Sequence, residues 1–313
     1  MANPLYIIIG VLTLTAVSTG LYYSKQTIEE DGFQKRNLFD VGKDNVTLWL
    51  YYDQSDINSR WWADFGARSS RVLSMPFLNL CYQSIALKNG TTYNIKIIAG
   101  LSDLALLLGG WNELPKALQN PIAPVGEAEM NYIRATVLRR FGGLWVSPST
   151  IFLDSLPDYK KSKNVLFFGT NKDETYSDFK GTSVPGTDIM YSPFVNHPIF
   201  EELEKRSLQR IELQEGGKQF RKDIQSDLTN ILKNFSNDIE YFPEFEFGRK
   251  ESGRRIQLED LLSSNSIPIS PEAIYAPVDL KEIQEREMFG WFLRMSEKQI
   301  LSSNLFIAKL LTY

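Results

Sequence analysis

Histidine and cysteine are almost absent from this 313-residue chain, which has one of each. Because Cys81 is alone, no intramolecular disulfide can form, which favours a reducing compartment without requiring one. With only Cys81 and His197 available as soft ligands, any bound metal is expected to be a hard cation held by oxygen atoms. A long basic run is also missing and the net charge is −4, so no nucleic-acid-binding surface is indicated.

Charged side chains are absent before Lys25, and residues 4–23 are largely apolar. About 20 such residues are enough to cross a lipid bilayer as a helix. A cleaved signal peptide is the alternative, but it normally begins with basic residues, and none is present. We therefore predict a single-pass anchor at residues 1–24, a polar tether at residues 25–44 and one folded domain at residues 45–313.

The orientation of this anchor rests on two opposing signals. Lys25, Lys35 and Arg36 follow the apolar segment and no basic residue precedes it, which favours a cytoplasmic domain. Glycosylation sequons at Asn45, Asn89 and Asn234 suit a lumenal domain instead. The prediction is a cytoplasmic domain, with the lumenal orientation left open.

Strand and helix patterns alternate in the first half of the folded part. Strands are predicted at residues 46–52 and 93–98, and helices at residues 61–71, 77–87 and 101–108. Strands that are each followed by a helix imply a parallel sheet with right-handed crossovers. The expected class is therefore α/β, with a Rossmann-type mixed sheet flanked by helices.

The most informative stretch is residues 132–153, where a helix runs into a double glycine and a short strand. The helix is predicted at residues 127–141, with Gly142 in a left-handed cap. Two strand pieces, residues 144–146 and 150–153, then flank the turn Ser147-Pro148-Ser149. Later elements are a strand at residues 165–168, helices at residues 199–214, 220–234 and 296–311, and a proline-punctuated stretch at residues 267–277.

This order of elements resembles the capsular polysaccharide synthesis proteins and the related sugar transferases that carry an Asp-x-Asp motif. The residues that fit the pattern are Arg134, Phe141, Gly142, Gly143, Trp145 and Val146, followed by residues 187–190 and 196–198. The resemblance covers residues 46–200 and implies a glycosyltransferase of the GT-A type. It departs from the family at Asn131, which stands where the family's helix has Asp, and at Ser147 and Ser149, which stand at the Asp-x-Asp positions.

These departures weaken the usual metal site, because hard divalent cations require anionic oxygens that two serine hydroxyls do not supply. Arginine side chains are one substitute, since guanidinium binds phosphate in a two-pronged fashion; the candidates are Arg68, Arg71 and Arg134. Convergence of Asp53, Asp154 and Asp188 on Mg²⁺ or Mn²⁺ is a second possibility. Loss of catalysis with retention of the fold is the third.

The resemblance implies a nucleotide-sugar donor and a glycan or protein acceptor. The predicted donor-binding residues are Tyr52, Asp53, Arg68, Arg71, Arg134, Trp145, Ser147 and Ser149, with no metal ligand. Asp188 and His197 are the predicted catalytic residues. The leading hypothesis is a membrane-anchored glycosyltransferase that works without the usual metal, and the alternatives are an inactive transferase fold with an assembly role and a nucleotide-sugar-binding protein.

Overall fold

A six-stranded mixed sheet forms the core of the part of the chain described in a computed structural model. The residues described are 45–53, 75–120, 125–170, 185–213, 220–242, 248, 250–252, 256–278 and 280–312. They all belong to one compact unit that spans residues 38–313.

Eight strands are present in the described residues. They are β1 Thr47–Tyr52, β2 Asn94–Ala99, β3 Gly143–Val146, β4 Thr150–Phe152, β5 Val165–Thr170, β6 Pro185–Ser192, β7 Ile239–Phe242 and β8 Tyr275–Pro277. The main sheet has the order β2-β1-β3-β6-β5-β7, and β4 pairs with β8 in a separate two-stranded sheet. Strand β1 is parallel to β2 and β3, β6 is antiparallel to β3 and β5, and β5 is parallel to β7.

The helices are shorter towards the end of the chain. They are α1 Pro76–Asn89, α2 Gly100–Leu108, α3 Glu127–Phe141, α4 Pro198–Leu213, α5 Phe220–Asn234, α6 Leu258–Leu261, α7 Leu280–Glu285, α8 Glu297–Leu301 and α9 Phe306–Leu311. Among the described residues, single turns of 3₁₀ helix lie at Trp111–Glu113, Lys116–Leu118, Glu287–Phe289 and Phe292–Arg294.

The sheet is buried on both faces, which explains why β1 reads as a continuous apolar run rather than an alternating one. Trp49, Trp145 and Met190 belong to one core cluster with residues of α2, α3, α4 and α5. Successive strand residues point to opposite faces, so Leu48 and Leu144, which are also buried, face the other side. The predicted mixed α/β class is confirmed.

Two edges of this sheet are important below. The carboxyl edge is where β1, β2 and β3 end and β6 begins; the amino edge is where β1, β2, β3, β5 and β7 begin and β6 ends. A strand of six residues separates the two edges by about 20 Å.

Close packing at the amino edge explains the double glycine, Gly142-Gly143. Gly143 has a φ of 92°, and a Cβ atom there would lie within 3.0 Å of the Thr47 carbonyl oxygen of β1. Gly142 has a positive φ of 64°, but its ψ of −163° lies outside the left-handed helical region. The predicted left-handed helical cap is therefore wrong. Its carbonyl accepts a hydrogen bond from Trp49 Nε1 at 2.9 Å, which ties the end of α3 to β1.

Most of the predicted elements are found within one or two residues, but the C-terminal part differs. The helix predicted at residues 296–311 is wrong: α8 and α9 are separated by a break in which the Ser303 hydroxyl accepts from the Leu305 N–H at 3.3 Å. Strand β8 forms inside the proline-punctuated stretch because Thr150 to Phe152 supply its pairing partners. Strand β7 was not predicted.

No helix in the described part of the chain is long and apolar enough to cross a membrane. Residues 4–23 lie outside the described residues, as do the predicted tether and the predicted helix at residues 61–71. The membrane anchor, its orientation and the domain boundaries therefore stay predictions.

Candidate functional site

The strand order reverses between β1 and β3. From β1 the chain passes to β2 on one side and then returns across β1 to β3 on the other. In open α/β sheets, ligands bind in the crevice outside the carboxyl ends of the strands at such a reversal. Tyr52 ends β1 and is followed by Asp53, and Ser147 directly follows β3. Asp53 and Ser147 therefore border this crevice, whereas the Tyr52 side chain is fully buried.

The serine turn is held from two sides. The Ser147 N–H donates to the Asp188 carbonyl of β6 at 2.7 Å, and the Ser149 carbonyl accepts from the Val278 N–H at 2.9 Å. The two serine hydroxyls are 3.4 Å apart and both side chains are partly buried. The turn is therefore fixed by backbone hydrogen bonds, and its hydroxyl groups remain at the carboxyl edge.

Arg134 is the buried cation of this region, with only 8% of its surface exposed. Its Nη1 donates to the Thr187 carbonyl at 2.6 Å and to the Thr187 hydroxyl, and its Nε donates to the Met130 carbonyl at 3.3 Å. These bonds attach α3 to the start of β6.

Asp188 lies directly after Thr187 and is exposed. Burial lowers the pKa of Arg134, while the negative charges of Asp188 and Glu127 act in the opposite direction. The structure thus brings together Arg134, Asp188 and Ser147, three residues that are separated in sequence, through the pairing of β3 with β6.

Two further polar groups of α3 were not predicted as site residues. Asn131 Oδ1 and Glu129 Oε2 are buried and have no hydrogen-bond partner among the described residues. Both lie in the first two turns of α3, which starts at the carboxyl edge because α3 runs opposite to β3. Gly126 caps this helix without a side-chain hydrogen bond. One indication of this site was available in the sequence, because Asn131 stands where the resembled family has Asp.

Two predicted site residues lie elsewhere. Trp145 is 2% exposed and belongs to the core cluster. His197 follows β6 at the amino edge, about 13 Å of strand away from Asp188. Its Nδ1 accepts from the Ile199 N–H at 3.2 Å, its ring centroid is 4.8 Å from that of Phe194, and burial lowers its pKa. His197 therefore caps the start of α4. The two predicted catalytic residues, Asp188 and His197, lie at opposite edges of the sheet.

The carboxylates proposed as an alternative metal site occupy different sheets. Asp53 and Asp188 belong to the carboxyl edge of the main sheet, whereas Asp154 follows β4, and its Oδ1 accepts from the Ser155 N–H at 2.7 Å. Within the described ranges, no three Asp, Glu, His or Cys side chains are placed to share a metal ion. Arg68 and Arg71 lie outside those ranges.

No protein-family model and no curated protein matches the sequence. A solved structure described as "PaToxG Glycosyltransferase" matches 72% of this chain and 80% of its own, with 12% sequence identity and a TM-score of 0.37. A similarity at this level carries no argument about the chemistry of the chain.

Proposed function

We propose that the protein is a glycosyltransferase of GT-A-like architecture that transfers a sugar from a nucleotide-sugar donor to a glycan or protein acceptor. The observation that carries this proposal is the juxtaposition of Arg134, Asp188 and the Ser147–Ser149 turn at the reversal of strand order. Arg134, Asp188 and the serine turn come from separate parts of the family resemblance, and Arg134 and Asp188 are 54 positions apart in sequence.

The donor binds at the carboxyl ends of β1 and β3 in this proposal. Tyr52 is fully buried, so Asp53 makes the contact with the nucleoside, and the hydroxyl groups of Ser147 and Ser149 donate to the diphosphate. The unpartnered Asn131 Oδ1 supports a sugar contact, because a buried carbonyl oxygen without a donor is costly until a ligand hydroxyl satisfies it. Arg68 and Arg71 remain the proposed additional phosphate ligands.

Asp188 is the proposed general base. Its carboxylate takes the proton of the acceptor hydroxyl as the new bond to the sugar carbon forms and the bond from that carbon to the diphosphate oxygen breaks. Arg134 is a positioning residue, since its hydrogen bonds to Thr187 hold the adjacent Asp188 beside Ser147. His197 has no part in this step.

The test compares Asp188→Asn with Asp154→Asn in the full chain. Both aspartates are exposed, but only Asp188 lies in the main sheet. With UDP- and GDP-sugars and a glycan acceptor, loss of the base is expected to lower turnover by about 10²- to 10⁴-fold, with donor affinity retained. Asp154→Asn should behave as wild type. Equal turnover in the two variants would refute the role of Asp188.

Removal of divalent metal is a separate test of the same site. The serine turn offers no carboxylate, so turnover is expected to persist after treatment with EDTA. If EDTA abolishes turnover and Mn²⁺ restores it, the metal-free mechanism is contradicted. Asp53 and Asp188 would then be the candidate metal ligands.

A second candidate is an inactive transferase fold that serves as a membrane-tethered assembly component. The observation in its favour is that Arg134 makes three hydrogen bonds to backbone and hydroxyl groups of the protein itself. Calorimetric titration separates the candidates, because an assembly component should not bind UDP- or GDP-sugars at millimolar concentration. Binding without product would indicate a nucleotide-sugar-binding protein.

A further inference from the structure

The glycosylation sequon Asn89-Gly90-Thr91 lies at the end of α1, and its asparagine is completely buried. Asn89 is the last residue of this helix, and 0% of its surface is exposed. Its Nδ2 donates to the Ile85 carbonyl at 3.3 Å, and its Oδ1 accepts from the Leu156 N–H at 2.9 Å. Because Leu156 is buried as well, the Asn89 amide joins α1 to the connection between β4 and β5 inside the protein.

The backbone around Asn89 closes the same contact. The Asn89 carbonyl accepts from the Thr92 N–H at 3.1 Å and from the Tyr93 N–H at 2.8 Å, which folds the chain back into β2. The Tyr93 hydroxyl donates to the carbonyl of Pro157, the residue that follows Leu156. The Asn89 side chain is therefore enclosed by its own helix, by the turn into β2 and by the connection that leaves β4.

Packing accounts for two of the three residues that form this sequon. Asn89 supplies the hydrogen bonds described above. A Cβ atom at position 90 would lie 2.5 Å from the Ala86 carbonyl oxygen, so the turn requires Gly90. Thr91, which completes the sequon, is exposed. The match to a glycosylation site therefore follows from the way in which α1 ends, and no glycan is needed to explain it.

A glycan at Asn89 is incompatible with this packing. N-glycosylation replaces one hydrogen of the asparagine Nδ2 with the anomeric carbon of a sugar, and the attached oligosaccharide is bulky and requires the protein surface. The Asn89 side chain would have to leave the interior, and the buried Leu156 N–H would lose its acceptor, which is costly. Asn45 and Asn234, the asparagines of the other two sequons, are exposed and can carry a glycan without this disruption.

We infer that Asn89 is not a modification site and that the folded domain forms in a compartment where N-glycans are not attached. In the secretory pathway the sequon would be modified on the growing chain, before α1 packs against the connection that leaves β4, and the observed fold would then be blocked. The burial of Asn89 thus counts against the lumenal orientation that the three sequons favour. Neither the predicted anchor nor the proposed glycosyl transfer is needed for this inference.

The first test measures access to the sequons in the folded protein. The full chain, purified from bacteria, is incubated with UDP-glucose and a soluble N-glycosyltransferase that adds one glucose to the asparagine of a sequon, and the modified sites are mapped by mass spectrometry. Asn89 should be modified more than about tenfold more slowly than Asn234, because its modification requires local opening of the chain. A synthetic peptide of residues 85–95, which has no fold, is the control and should be modified readily. Equal rates at Asn89 and Asn234 in the folded chain would overturn the inference.

The second test uses Thr91→Ala, which removes the sequon and leaves Asn89 and its hydrogen bonds in place. The wild-type full chain and this variant are expressed in cultured mammalian cells, and each is treated with a glycosidase that releases N-glycans. Neither chain should change in mass, and both should give the same yield of folded protein. A glycan at Asn45 or Asn234 would place the domain in the lumen and overturn the inference. A glycan at Asn89 in folded protein, or a higher yield from Thr91→Ala, would also overturn it.

Discussion

Replacement of Gly143 by alanine tests a close approach between two neighbouring strands, β1 and β3. A Cβ at this position lies within 3.0 Å of the Thr47 carbonyl oxygen and 3.3 Å from Trp49 Nε1. The positive φ of 92° alone costs about 1–2 kcal/mol for a residue with a side chain. Forcing β1 away from β3 adds about 1–3 kcal/mol, as for other overpacked sites.

Gly109→Ala is the matched control for this substitution. Gly109 has a φ of 105°, but a Cβ there has no atom within 4 Å, so only the backbone cost of about 1–2 kcal/mol applies. Urea unfolding followed by tryptophan fluorescence measures both variants, since Trp49 and Trp145 are buried. Gly143→Ala is expected to lose about 1–3 kcal/mol more than Gly109→Ala. Equal losses would show that β1 and β3 do not require this close approach.

Two further predictions concern the single histidine and the single cysteine. Burial lowers the pKa of His197, so its contribution to stability is present above its unfolded pKa of about 6.5 and is lost as the pH falls through the folded value. His197→Asn keeps an acceptor for the Ile199 N–H and should weaken this pH dependence in urea unfolding between pH 7 and pH 5; an unchanged dependence would assign it to carboxylates. The thiol of Cys81 is buried, so Ellman's reagent at pH 8 should react only as fast as the chain opens, and reaction at the rate of a free thiol would contradict its burial.

The carboxyl-edge site shows how far sequence reasoning extends. Arg134 and the serine turn could be identified because they lie within a short stretch whose order of helix, glycines and strand is characteristic. Asp188 was found through a second short motif. Their proximity depends on the antiparallel pairing of β3 with β6, which brings Asp188 beside Ser147.

The roles of individual side chains were harder to predict. His197 and Asp188 belong to one motif in sequence, but β6 places them at opposite edges of the sheet. Trp145 follows the glycines like a site residue, yet the alternation of the strand turns its ring into the core. Asn131 looked like a simple loss of the family's carboxylate, whereas burial without a partner makes its amide oxygen a candidate ligand group.

Local patterns in the sequence determined the main helices and strands, the mixed α/β class and the absence of carboxylates from the serine turn. These features depend on apolar periodicity, glycine conformation and residue identity, which are properties of short segments. Only the tertiary structure decided which polar groups meet and that Arg134 ties α3 to β6. Such features depend on strand order and register, because pairing between strands far apart in sequence brings together residues that no local pattern relates.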